Sequence, residues 1–378
     1  TRAIVRRSTV GTGGSSSLHF ALVFASPLLD HRRKPLALLD TSGEKEEVLG
    51  ALRRSERKLH CVSASATARN LRSLLTDGVV VLHYCGHGLL RPGEGDPGSP
   101  GAPAVSADDA AAGGGGGSSD AFCLVLEDGC GGTHLLPASE IESFVAAGGH
   151  TLQLVFMSAC HSRGGGEAFV RAGVPHVVAV KRAERIQDKA ATIFAEAFYY
   201  GLLRAGKTVR QAFDIGSSAV ATAHGLAEAQ SEADKFVLLP ADGDHDVRVL
   251  SPLPGGVMHD ASERPPPNNL PAFFPMQFIG RQVEWHGLLT AIEHKQRRLS
   301  CVYGASGVGK SALCLAAAHR LVDRRRFAGG VMHVGLLDAC TPATFVRAIV
   351  HAIEDAGLPA VRGHAWHVGH AWHDGRDG

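Results

Sequence analysis

Apolar residues in this chain gather in short, uninterrupted runs separated by stretches with helical spacing. Two runs stand out, Val79-Val-Val-Leu-His-Tyr-Cys-Gly-His-Gly and Leu152-Gln-Leu-Val-Phe-Met-Ser-Ala-Cys. Both are β-branched and aromatic, and both are continuous rather than alternating, which predicts neighbouring parallel strands covered by helices on each face. Each ends in a reactive side chain, His87 and Cys160. Ahead of them, residues 18–26 read as a first buried strand, 44–54 as an amphipathic helix and 59–62 as a second strand. Thr67 is placed to cap a helix carrying Leu71, Leu74 and Leu75. This alternation predicts a three-layer α/β/α domain around a mostly parallel sheet.

Further along, the pattern lapses over residues 91–120, where Pro, Gly, Ala and the run Gly113 to Gly117 predict a flexible insertion. Residues 121–127 and 134–136, separated by Asp128-Gly129, predict a hairpin. Ser139 with Glu142 has the spacing of a capping box for a short helix. After Cys160, the run His161-Ser-Arg-Gly-Gly-Gly predicts a turn. A helix over 167–172, a strand over 174–180, helices from Asp188 and Thr208 with Gly206 as a stop between them, and a last strand over 235–240 come next. The expected organisation is therefore a disordered segment over 1–17, a domain over 18–240, a Pro-rich linker over 241–276, a second domain over 277–360 and a low-complexity tail over 361–378.

Composition narrows the class. With 44% apolar and 20% charged residues and a net charge of +1, the chain carries no global field that favours nucleic acid or an anionic membrane. No stretch reaches the 18 or so apolar residues of a membrane helix, and no signal pattern opens the chain, so neither a membrane nor nucleic acid is an expected partner. The eight cysteines form no C-x-x-C pair. They read as reduced thiols of a cytoplasmic protein. The start at Thr1 rather than Met leads us to expect a processed or partial product.

The chemistry lies at the two strand ends. In an open parallel sheet the ligand crevice lies beyond the carboxyl ends of the strands, where His87 and Cys160 both fall. A thiol attacks as its thiolate, so a histidine on the adjacent strand supplies the base it needs. The segments Leu82-His-Tyr-Cys-Gly-His-Gly88, Phe156-Met-Ser-Ala-Cys160, Ala172-Gly173-Val174 and the later Phe194, Phe198-Tyr199, Leu202 and Gly206 resemble the CHAT domain, a caspase-like family of clan CD cysteine peptidases. The resemblance implies a caspase-like α/β/α fold, a dyad of His87 as general base and Cys160 as nucleophile, and an oxyanion hole from the backbone N–H groups of Gly88 and Cys160. It also implies a protein or peptide substrate and a role in regulated intracellular proteolysis. The two dyad residues are 73 positions apart, and removing the 30 residues of the insertion leaves 43, near the spacing of about 50 in caspases. His83, Cys85 and His161 read as bystanders.

Residues 299–303 predict a strand, succeeded by Gly304-Ala-Ser-Gly-Val-Gly309-Lys310-Ser311 and a helical run to Val322. This G-x-x-x-x-G-K-S sequence predicts a phosphate-binding loop for ATP or another nucleotide. Gly304 and Gly309 shape the loop, Lys310 reaches the β and γ phosphates, and Ser311 binds Mg²⁺. With Ile279-Gly-Arg ahead of it, the segment resembles the start of STAND-type NTPases of the NACHT and NB-ARC kind, which implies nucleotide-linked oligomerisation or an activating protein partner. No apolar strand ending in paired acids comes after it, so turnover of nucleotide is not expected. Asp338, closing an expected strand over 331–337, comes too early for that role. The histidines at 364, 367, 370 and 373 form a repeat that reads as low complexity, with metal binding the alternative. Two functions from different classes thus stand side by side, a cysteine endopeptidase and an inactive nucleotide-responsive scaffold.

Overall fold

The computed structural model describes residues 18–39, 41–90, 122–159, 162–181, 186–250, 253–262, 264–272, 278, 280–295, 297–337, 339 and 341–358. The expected disordered start, the 91–120 insertion and the histidine tail lie outside these residues. The chain divides into two units, residues 1–263 with 276–301, and residues 264–275 with 302–378.

In the first unit the predicted alternation is present. Strand β1 (Phe20–Phe24), helix α1 (Thr41–Arg54), β2 (His60–Ser65), α2 (Ala68–Thr76) and β3 (Val81–Cys85) open the chain, with the Thr67 side chain capping α2 through the amide of Asn70. A short β4 (Gly88–Leu90), β5 (Phe122–Glu127) and β6 (Thr133–Pro137) form a separate antiparallel sheet. Then come α3 (Ala138–Gly148), β7 (Leu154–Ser158), α4 (Arg163–Arg171), β8 (His176–Val180), α5 (Asp188–Tyr199), a π-helical turn (Tyr200–Arg204), α6 (Val209–Ala221), α7 (Ala229–Ala233), β9 (Phe236–Leu239), β10 (His259–Asp260) and α8 (Gln282–Glu293). The main sheet runs β10-β2-β1-β3-β7-β8-β9, parallel throughout except for β9, which is antiparallel to β8. β3 and β7 are direct parallel neighbours, in register from Val81 opposite Leu154 to Cys85 opposite Ser158.

Strand alternation divides the core. Phe20, Leu22, Val81, Leu154 and Phe156 face one layer with α1, α5 and α6, while Ala21, Val23, Leu82, Tyr84, Val155 and Met157 face the other with α2, α3, α4 and β5. Burial on both sides accounts for the continuous apolar runs.

The fold corrects several expectations. The capping box at Ser139 and Glu142 does not form. The helix starts at Ala138, so Ser139 lies inside the first turn of α3, Pro137 is the N-cap residue with no side-chain acceptor to offer, and the Glu142 carboxylate is engaged with Arg171 at 2.7 Å. The glycine run after residue 161 is the first turn of α4 rather than an open turn. A Cβ on Gly165 would collide with the Phe122 ring, and one on Gly166 would crowd Leu239 and Val177, so the glycines let the helix approach the sheets closely. Residues 241–250 and 253–262, expected as linker, belong to the first unit: His245 and Val249 are buried, and β10 pairs with β2 as an edge strand.

In the second unit α9 (Lys310–Asp323) covers the helical run expected up to Val322, and a further helix, α10 (Pro342–Asp355), is capped by Thr341. The predicted strands over 331–337 and over 299–303, where the chain passes from one unit to the other, are absent. Leu299 and Tyr303 are 79% and 93% exposed. Among the described residues of the second unit the only pairing is an isolated bridge between Asn268 and Val331. An apolar run without a neighbouring strand to complete its hydrogen bonds gains nothing from extension.

At the amino end of β8 the buried rings of His176 and His245 meet Nδ1 to Nδ1 at 2.8 Å, and His245 Nε2–H donates to the Pro240 carbonyl at 2.8 Å. His245 must then accept at Nδ1 from His176, so the pair is stable with both rings neutral. Burial, then the neighbouring His245, lowers the His176 pKa to about 4. Below its ordinary 6.5 the unfolded chain takes up the proton first, so the stability present above that pH is lost as pH falls toward about 4, by about 1–2 kcal/mol once solvent screening is allowed for. Urea denaturation at about pH 7 and about pH 4.5 should show this loss in the wild type and a smaller one in His176→Asn.

Candidate functional site

The carboxyl ends of β3 and β7 open into a cavity of about 440 Å³ lined by Glu44, Cys85, His87, Gly88, Ser158 and Ala159 among others. His87 lies two residues beyond β3 and is partly exposed. Its Nε2–H donates to the Ala37 carbonyl at 3.0 Å. This bond places the proton on Nε2 and leaves Nδ1 the unprotonated nitrogen, the form a general base requires.

Beneath the ring, the wholly buried Tyr84 fixes the backbone. Its hydroxyl is 2.6 Å from the Val125 carbonyl and 3.0 Å from that of His87, and shares its proton between them. Burial holds the Tyr84 pKa well above its usual value, so the proton stays in place. Gly86 is obligatory here, since a Cβ would run into the Tyr84 hydroxyl. Gly88 is buried and starts β4, pairing with Leu124. Ala159 is buried on the same cavity at the end of β7. Cys160 and His161, which come next in the chain, lie outside the described residues.

A polar network missed in the sequence lies on the α1 side of the cavity. His83, expected as a bystander, is 0% exposed and stacks on Phe156 with ring centroids 4.8 Å apart. Its Nδ1 is 2.9 Å from the Tyr199 hydroxyl and its Nε2 is 3.1 Å from Glu44 Oε1. Cys85 Sγ donates to Glu44 Oε2 at 3.0 Å, and Ser158 lines the cavity beside this carboxylate. Burial pushes the Glu44 pKa up, but the bond and attraction to His83, with the bond from Cys85 and the polar Ser158 nearby, outweigh it, and the net shift is downward. The Tyr199 pKa is raised well above 10 by burial and by the charge of Glu44, so Tyr199 remains a donor. Polarity therefore runs one way, from Tyr199 O–H to His83 Nδ1 and from His83 Nε2–H to Glu44. The sequence does hold one signal for this network: a histidine within a fully buried strand needs a partner, and Glu44 opens a helix earlier in the same alternation.

In the second unit the loop 304–309 has left-handed Gly307 and Gly309 (φ +77° and +91°), and Gly309 caps α9. Lys310 folds back over the loop, its Nζ donating to the carbonyls of Gly304 at 3.1 Å and Ala305 at 2.8 Å. Ser311, in the first turn of the helix, is exposed. A curved loop at a helix start with an ammonium held inside the bend is a donor set that suits phosphate oxygens. Asp338 is outside the described residues. No group of three or more His, Cys, Asp or Glu among the described residues is placed to hold a metal ion, and no described helix is long and apolar enough to cross a membrane.

A mostly parallel sheet between helical layers, with a tautomer-fixed histidine at the carboxyl edge of one central strand and a cavity shared with the end of the next, defines the class. A match to the family described as CHAT domain extends over residues 2–233, and the chain belongs to that family. A comparison with curated proteins finds no match. Among solved structures, similarity extends to the Arg-specific cysteine proteinase gingipain R (RgpB), at TM-score 0.40 and 12% identity, covering 62% of this chain and 48% of that one. A complex of Porphyromonas gingivalis RgpB pro- and mature domains is similar at TM-score 0.35 and 12% identity, covering 62% and 49%. The chain spans about half the length of these proteins.

Replacing Tyr84 by Phe strands the buried Val125 carbonyl and frees the backbone of His87. We expect a stability loss of about 1–3 kcal/mol, read as a lowered denaturant midpoint with unchanged m-value.

Proposed function

We propose that the CHAT domain of this chain is a cysteine endopeptidase in which Cys160 is the nucleophile and His87 its general base. The observation that carries this reading is His87 itself, its Nε2–H committed to the Ala37 carbonyl, at a cavity also lined by Ala159, the residue bonded to Cys160. In the reaction, Nδ1 of His87 takes the thiol proton and the thiolate adds to the peptide carbonyl. The oxyanion is met by the N–H groups of Gly88 and Cys160. His87 then returns the proton to the departing amine as the C–N bond breaks, leaving a thioester. Water, deprotonated by the same imidazole, hydrolyses it and restores the thiol.

The test is covalent labelling by a thiol-directed peptidyl electrophile. Labelling of the wild type, lost in Cys160→Ala and in His87→Ala while both variants keep the wild-type circular dichroism, is the expected result. Labelling that persists in Cys160→Ala would sink the assignment. A folded wild type that never labels favours the scaffold reading.

The finer part of the proposal is a regulatory one: residues 304–311 bind the phosphates of ATP or another nucleotide, as in STAND-type modules, and couple the peptidase to oligomerisation or to an activating protein in the cytoplasm. The loop conformation and the inward Lys310 support phosphate binding. When bound, Mg²⁺ would be held through the nucleotide by Ser311. Calorimetry should detect weak ATP binding that Lys310→Ala removes, with no steady phosphate release, since hydrolysis also needs an acid to hold Mg²⁺ and orient water. Turnover that disappears in the mutant would point to a missed acid, with Asp338 the first to examine.

A further inference from the structure

We infer that Asp128, in the turn between β5 and β6, is a positioning residue for His87: it shapes the turn that carries the loop over residues 28–37, and that loop presents the Ala37 carbonyl to the imidazole. The functional meaning rests on the peptidase reading above, while the geometry lies wholly within the first unit. Asp128 closes the turn with its own atoms. Its Oδ1 accepts from the amides of Cys130 at 2.7 Å and Gly132 at 2.9 Å, and its backbone N–H donates to the Gly132 carbonyl at 2.9 Å. Gly129 and Gly131 take left-handed φ values of +96° and +92°, which a residue with a Cβ adopts only with strain. Bent in this way, the turn offers the Gly131 carbonyl to Leu28 N–H at 2.7 Å, and Thr133 Oγ1 just beyond it donates to the Leu29 carbonyl at 2.7 Å.

From Leu28 the connection runs on to His87. Leu28 and Leu29 are buried, the Leu28 carbonyl accepts from Leu36 N–H at 2.9 Å, and Asp30 N–H donates to the Lys34 carbonyl at 2.8 Å. Asp30 Oδ1 takes the amides of Arg32 and Lys34, each at 2.8 Å. Residues 28–36 are thereby a small closed hairpin standing on the β5–β6 turn. The next residue is Ala37, whose carbonyl accepts from His87 Nε2–H at 3.0 Å in a bond open to solvent. A hydrogen bond in that setting competes with water, so it orients the ring only to the extent that its acceptor is already in place. The brace on the turn supplies that preorganisation. Tyr84 holds the backbone of His87 but does not choose which ring nitrogen carries the proton. The second oxygen of Asp128 faces His286 Nε2 of α8 at 4.0 Å, whereas both amide bonds are made by the first. The carboxamide of asparagine therefore keeps the brace, and alanine removes it.

The experiment reads His87 directly, by long-range ¹H–¹⁵N correlation spectra of ¹⁵N-histidine-labelled protein at about pH 8, where the ring is neutral. The His87 signals are assigned by their loss in His87→Gln. Wild type should show the Nε2–H tautomer alone. In Asp128→Ala both tautomers should appear, and labelling by the peptidyl electrophile should slow about three- to tenfold, while Asp128→Asn restores the wild-type pattern and rate. Wild-type His87 signals in a folded Asp128→Ala, with only the denaturant midpoint lowered, would mean a structural role and overturn the inference. Mixed tautomers in the wild type, or in Asp128→Asn, overturn it too. Should Asp128→Ala not fold, Thr133→Val removes the neighbouring tie to Leu29 and should mix the tautomers to a smaller extent, and an unchanged pattern there overturns the inference. The spectra do not involve Cys160. A single tautomer that Asp128→Ala mixes, in a wild type that never labels, therefore upholds the positioning and overturns the peptidase reading alone.

Discussion

The parallel pairing of β3 with β7 is the constraint on which the site depends. With Cys85 opposite Ser158, both chains leave the sheet at one level, and the residues just beyond each strand are delivered to a single cavity. A shift of one residue would turn His83 from the α1 side to the α2 side and carry every later side chain with it. The register is fixed by two dissimilar cores, with Leu154 and Phe156 packed among α1, α5 and α6, and Val155 and Met157 among α2, α3 and α4.

On that frame, the polar side chains of β3 each have a defined donor or acceptor. Tyr84 secures the backbone of His87 from one face, while the Ala37 carbonyl fixes its ring. On the opposite parity of the same strand, His83 and Cys85 both bond Glu44. β3 thus uses its even positions to secure the loop beyond it and its odd positions to reach α1. Such division of labour is open only to a strand buried on both faces.

Much of this is legible in the residues alone. Uninterrupted apolar runs announce parallel strands, and the residues ending them announce a shared crevice. Thr67 announces its helix by its position before Leu71, Leu74 and Leu75. Effects set by partners distant in sequence are the ones that cannot be read. Glu142 has capping-box spacing but meets Arg171 instead. Gly164 to Gly166 look like a turn until Phe122 is seen against them. Leu299 to Tyr303 has strand composition without a neighbouring strand. Glu44 has the look of an ordinary first-turn acid in an exposed helix, and only the fold brings His83 and Cys85 to it.

His87 also stands at the junction between two sheets. The chain leaves the main sheet at Cys85 and enters the three-stranded one at Gly88, where it pairs with Leu124, while Tyr84 reaches across to Val125. The histidine is thus strung between two sheets like a bead on a short wire. Since β3 ends at Cys85 and β4 starts at Gly88, any shift of the small sheet relative to the main one has only Gly86 and His87 in which to be taken up. The small sheet is, in mechanical terms, an anchor set two residues from the end of β3.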